Sequence, residues 1–128
     1  MAGPALPLPT DAEYRILEVL WDRGPQTVRQ VHDQLTGERD VGYTTVLKIL
    51  QNLHQKGLVD RDDSERSHVY AAAVEREWAT RGFVADLTDR VFAGSAGRLV
   101  LRALSTRPAS RSELDEIRAL LDRLEADS

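Results

Sequence analysis

Residues 42–57, Gly-Tyr-Thr-Thr-Val-Leu-Lys-Ile-Leu-Gln-Asn-Leu-His-Gln-Lys-Gly, constrain this chain more than any other stretch. Val46, Ile49, Leu50 and Leu53 stand at i, i+3, i+4 and i+7, the spacing that lines one face of an α-helix. The opposite face carries Thr44, Thr45, Lys48, Asn52 and Gln55, side-chain types that read base edges and touch phosphates. Between Val41 and Val59 there are two lysines and a histidine but no acidic residue. Gly57 is placed to close the helix in the left-handed conformation that glycine adopts without steric cost.

What flanks this helix decides whether its polar face is an ordinary solvated surface or a reading head. Upstream, Thr10-Asp11-Ala12-Glu13 is a capping box opening a helix whose apolar face is Ile16, Leu17, Leu20 and Trp21, with Tyr14 at its edge; Gly24-Pro25 stops it. A second box, Thr27 to Gln30, opens a helix with Val28, Val31 and Leu35 inward, ended by Thr36-Gly37. The polar segment 38–40 leads to the central helix. Downstream, 58–61 and 68–71 read as two short strands around the polar run 62–67, a hairpin with a long charged tip. Three short helices and a hairpin make a winged helix-turn-helix, in which the second helix supports the third and the third enters the major groove.

That frame adds candidates for DNA contact. Thr27 and Arg29 open the supporting helix, where backbone amides and a guanidinium suit a phosphate, and plain capping is compatible with both. Tyr43 either packs under the helix or reaches phosphate. On the hairpin, Arg61, Arg66 and His68 stand among Asp60, Asp62, Asp63 and Glu65, so only Arg66 at the tip is taken as a contact.

From Val74 on the chain is helical again. Trp78, Phe83, Val84, Leu87, Val91 and Phe92 mark a helix over about 75–92, interrupted or strained near Gly82, and 94–97 read as a hinge or tight corner. Leu99, Val100, Leu101 and Leu104 give a short helix ending before Pro108. Ser110 to Glu113 is a third capping box, and Leu114, Ile117, Leu120, Leu121 and Leu124 follow on one face. So short a tail cannot bury these faces within itself, which points to a second copy across a two-fold axis. The expected pairing residues are Trp78, Phe83, Leu87, Val91, Leu99, Leu104, Ile117, Leu121 and Leu124. The fold class is therefore mainly α with a small β-hairpin: a flexible arm over 1–9, a winged-helix DNA-binding domain over 10–73 and a helical dimerisation region over 74–128.

Composition narrows the function classes. The chain has no cysteine, and His32, His54 and His68 lack ligand spacing, so neither a metal nor a cofactor is expected. Ser64, Ser67, His68 and Asp63 are neighbours on one turn, which rarely assembles a catalytic set, and no glycine-rich phosphate loop exists; no catalytic residue is assigned and the chain is read as a non-enzyme. The start of the chain has neither a basic opening nor a continuous apolar run, so a soluble cytoplasmic protein without membrane contact is expected. The net charge of −4 runs against nucleic-acid binding in bulk. Screening over a Debye length of ~8 Å still lets an acid-free helix meet phosphates while acids elsewhere are screened. One protomer should then bind weakly, and pairing of two should supply the affinity.

Thr10-Asp-Ala-Glu-Tyr-Arg-Ile-Leu-Glu-Val-Leu-Trp21, Thr27-Val-Arg-Gln-Val31, Tyr43-Thr-Thr-Val46, Leu53-x-x-Lys-Gly-Leu-Val59 and His68-Val-Tyr-Ala71 resemble the penicillinase repressors of the BlaI/MecI type. The resemblance is specific over 8–73 and looser through the C-terminal helices. It implies a homodimeric winged-helix repressor on a palindromic double-stranded operator of β-lactamase or related genes, a role in antibiotic resistance, and a recognition set at Thr44, Thr45 and Lys48. It also implies relief through a sensor-linked protease that cleaves in the dimerisation region, at a position matching 101–104. The Asn-Phe pair cleaved in staphylococcal members is absent, and Arg102-Ala103 stands there instead. The rival from another class is a winged-helix protein-interaction module whose acidic surface engages a basic partner without DNA.

Overall fold

The computed structural model describes residues 6–35 and 41–128. In chain order the elements are α1 (Asp11–Arg23), β1 (Gln26–Thr27), α2 (Val28–Leu35), α3 (Tyr43–Lys56), β2 (Val59–Asp62), β3 (Val69–Ala72), α4 (Arg76–Val91), α5 (Ala96–Thr106) and α6 (Arg111–Ala126). The expected end of the second helix at Thr36-Gly37 and the polar segment 38–40 lie outside the described residues. The mainly helical architecture with a small sheet is the one anticipated.

All three capping boxes form. Thr10 Oγ1 accepts from Glu13 N at 3.2 Å while Glu13 Oε1 accepts from Thr10 N at 2.8 Å. Thr27 and Gln30 repeat the exchange at 3.2 and 2.9 Å, and Ser110 and Glu113 at 3.0 and 2.9 Å. Each box satisfies two backbone donors that the first helical turn leaves without partners. At the other end of α3, Gly57 has φ 82°, and the amides of Gly57 and Leu58 donate back to His54 and Leu53 carbonyls at 3.1 and 3.0 Å. That pair of bonds is a Schellman closure, and it keeps Leu58 in the cap. The strands accordingly start and end one residue later than expected.

The sheet has three strands in the order β1-β3-β2, both pairings antiparallel. Gln26 and Thr27 pair with Tyr70 and Val69, and Val59 to Asp62 pair with Ala72 to Val69. The sequence reading lacked β1. Two residues are too few to show alternation, and Thr27 also caps α2, so the helix signal hid the strand.

Two compact units divide within α4, between Val84 and Ala85. In the first, Ile16, Leu17, Leu20, Val28, Val31, Val46, Leu50, Leu53, Leu58, Val59 and Tyr70 form one buried cluster. The helical faces read from the sequence are the faces that meet there. Trp78 packs against this cluster, and Phe83 sets its ring edge-on to Tyr14 at 5.4 Å. Both are among the expected pairing residues, and within the protomer they pack in the first unit. Trp21 Nε1 donates to the Val74 carbonyl at 2.8 Å, and Arg76 lies over the Trp21 ring while bonding Asp22 at 2.7 Å.

Of the interruption or strain expected near Gly82, the interruption does not occur, for α4 runs unbroken. One glycine costs a helix only ~1 kcal/mol relative to alanine. The expected corner at 94–97 is shorter: Ala93 and Gly94 take φ 53° and 79°, Ser95 caps α5 through Arg98 N at 3.1 Å, and Gly97 is already helical. In the second unit no residue of α5 or α6 is buried. The arm expected to be flexible is described from Leu6 on, and there Pro9 is buried and Leu8 half-buried.

Candidate nucleic-acid interface

The inward side of α3 is sealed by Val46, Leu50 and Leu53, so its remaining side chains are directed outward by the helix period. Thr44, Lys48, Asn52 and Gln55 line one groove, together with Gln51, His54 and Arg61 of β2. Thr44, Lys48, Gln51 and Gln55 fall at i, i+4, i+7 and i+11, a stripe along the helix. Gln51 was absent from the residues chosen on sequence, although this spacing from Thr44 was the signal that would have found it.

Thr45 stands apart. It lines a different, more apolar hollow with Arg15, Ile16, Leu35, Val41 and Ile49, because one residue turns a helix by about 100°. The structure therefore groups Lys48 with Thr44 and not with Thr45.

A second concavity joins the start of α2, the start of α3 and the hairpin tip. Thr27, Arg29, Gln30, Tyr43, Arg66, Ser67 and His68 line it. Tyr43 is 43% exposed; its ring faces Arg29, whose guanidinium lies 5.6 Å from the ring centroid, and meets His32 edge-on at 6.0 Å. Tyr43 thus flanks the helix rather than packing beneath it. Cation–π contact holds the Arg29 side chain toward the mouth of the concavity.

On the hairpin, charged groups gather where the strands meet the loop. Arg61 Nε forms an ion pair with Asp63 Oδ1 at 2.8 Å, and His68 Nδ1 lies 3.5 Å from the same carboxylate oxygen. The Tyr70 hydroxyl, then Asp63, hold the Arg61 guanidinium above its ordinary pKa. Ser64 donates to Asp62 from its hydroxyl and from its backbone at 2.9 Å, which keeps that carboxyl below the usual aspartate value. Arg66 is exposed beyond this cluster.

The second lysine of α3 is used elsewhere. Lys56 Nζ donates to buried Glu13 Oε1 at 2.6 Å, tying the end of α3 to the start of α1. Lys48 is left as the exposed lysine of the helix.

Over residues 9–123 the chain matches the model of the penicillinase repressor family. It belongs to that family. Transcriptional regulator BlaI of Mycobacterium tuberculosis is 36% identical over 117 residues, covering 91% of this chain and 84% of that one. The methicillin resistance regulatory protein MecI of Mammaliicoccus sciuri is 21% identical over 114 residues, 89% and 93% of the two chains. Among solved structures, the Bacillus licheniformis BlaI monomeric form in complex with the blaP half-operator superposes with a TM-score of 0.50 at 22% identity, covering 57% of this chain and 89% of that one. At that identity the match shows the shared winged-helix fold. The family membership and the fold are those inferred from the sequence motifs. Among the described residues no helix is long and apolar enough to cross a membrane.

Proposed function

We propose that this penicillinase-repressor family member is a DNA-binding transcriptional repressor that works as a homodimer on a palindromic operator. The observation that carries this reading is the outward stripe of α3, acid-free and flanked by the start of α2 and the hairpin tip. Thr44, Lys48, Gln51 and Gln55 would meet base edges and adjacent phosphates in the major groove, with Asn52 beside them. Thr27, Arg29, Tyr43 and Arg66 would hold phosphate and fix register. The relatives named regulators of methicillin resistance and BlaI support operators of β-lactamase or related genes.

The exposed apolar side chains of the second unit support pairing. Leu87, Val91, Val100, Leu101, Leu104, Leu120, Leu121 and Leu124 are exposed large apolar side chains of one protomer. A second copy would cover them and set two recognition helices about one helical turn, roughly 10 bp, apart. Arg102 and Ala103 are exposed inside α5. Proteolysis there by a sensor-linked protease would cut the helix that carries Leu101 and Leu104, and so release the operator.

Binding to duplex DNA from the chain's own promoter, titrated with salt, tests the reading. Log affinity should fall with log salt, and Lys48→Ala should weaken binding about tenfold and flatten the slope by about 0.9 per protomer. A promoter fragment bound no better than random duplex at low salt would favour the interaction-module alternative.

A further inference from the structure

The segment from Leu6 to Pro9 touches both ends of a connection that matters to a dimeric reader. A Cβ placed on Gly82 of α4 would stand 2.5 Å from Leu8 Cδ2, so the Leu8 methyl occupies the space a side chain would take. A Cβ placed on Gly57, at the closure of α3, would lie 3.4 Å from Leu6 Cδ2. Pro9 is buried, and the next residue, Thr10, donates its amide to the Glu13 carboxylate that also receives Lys56 of α3. Pro7 and Pro9 fix φ on either side of Leu8 and favour an extended course at about 3.1 Å per residue. Leu6 and Leu8, two residues apart, thereby reach α3 and α4 respectively.

We propose that 6–9 is a strap that seats the first half of α4 on the recognition domain, with Leu8 and Gly82 as its positioning pair, and thereby sets which half-site spacing a dimer accepts. This rests on the repressor reading above. No residue of 6–9 lines the grooves beside α3, so loss of the strap should spare the contacts to one half-site. What it governs is the direction in which α4 leaves the domain. A dimer can engage two half-sites together only when that direction suits their separation, and a looser exit lowers the effective concentration of the second domain.

The test uses the full chain and a palindromic duplex selected from a random pool by the parent protein. Three further duplexes are needed: one half-site alone, and versions with the half-sites one base pair closer and one base pair further apart. Leu8→Ala should bind the single half-site within about twofold of the parent while losing about tenfold on the full palindrome, and the affinity differences among the three spacings should shrink. Gly82→Ala, which drives a methyl into the place of Leu8, should do the same. Leu8→Ala combined with Gly82→Ala should recover part of the loss, since one methyl then replaces another and coupled sites are not additive. Equal losses on half-site and palindrome, or an unchanged spacing preference in folded variants, would overturn the strap. A parent that selects no duplex would instead remove the repressor reading and the strap with it.

Discussion

Leu50 on α3 and Leu101 on α5 are the same side chain in opposite circumstances. Leu50 is fully sealed in the first unit, whereas Leu101 is 72% exposed in the second. Local signals do not account for the contrast. Both units have helices opened by a complete capping box, Thr10 with Glu13 in one and Ser110 with Glu113 in the other. Both show leucines at helical spacing. The difference is closure: α1, α2, α3 and the three-stranded sheet surround a common centre, while α5 and α6 have no buried residue. An amphipathic helix without closure within its own protomer has its apolar face available to another copy.

The sharpest way to break this comparison is to make the exposed leucines polar. Leu101→Glu together with Leu121→Glu changes four side chains in a dimer, each worth about 2 kcal/mol when buried. The summed effect, roughly 8 kcal/mol, should turn a dimer into a monomer at micromolar concentration in sedimentation equilibrium. The first unit should keep its folded near-ultraviolet signal. A variant that stays dimeric would show that these leucines do not form the interface.

Truncating the sealed leucine should give a smaller effect of a different kind. Leu50→Ala should cost about 3 kcal/mol of first-unit stability through lost burial and the cavity left behind. Because that core lies within one protomer, the shift in urea midpoint should not depend on protein concentration. Concentration dependence equal to that of Leu101→Glu variants would mean that the two units do not differ in the way described.

The same contrast explains what was legible in the sequence. Cap chemistry is local, so Thr10, Thr27, Ser110 and Gly57 announced their roles directly. The core of the first unit followed from helical period, because Val46, Leu50 and Leu53 had partners on every side. Trp78 and Phe83 show the limit of that reading: period marks an apolar face without saying which neighbour covers it, and here Trp78 packs against the first unit's core while Phe83 meets Tyr14. Lys56 illustrates the same limit on the recognition helix. A count of positive charge along α3 included it, but a carboxylate 43 positions earlier holds it. Within the candidate interface, Thr44 and Lys48 share one groove with Gln51, which the sequence reading did not include, while Thr45 lines a neighbouring hollow. The strap was invisible because prolines indicate an extended course and say nothing of what it lies against.

The smallest expected effect concerns the cap that opens α6 on the less enclosed unit. The Ser110 backbone amide, and after it the Ser110 hydroxyl, hold the Glu113 carboxyl below its ordinary value of 4.5. A carboxyl depressed by folding stabilises the folded form above its unfolded value, and that contribution is lost as pH falls through the folded value. Acidification should therefore fray the first turn of α6 only below the usual glutamate range, with Glu113 titrating late among the glutamates in carboxyl-carbon NMR. Ser110→Ala removes the hydroxyl and keeps the backbone donor, so the titration should move part of the way back up, and amide protection at Glu113 should fall because its own acceptor is gone. If Glu113 titrates at the ordinary glutamate value in both parent and variant, the box is not closed in solution. The first turn of α6 would then owe its helicity to the pairing surface alone, and the local signals of the two units would differ after all.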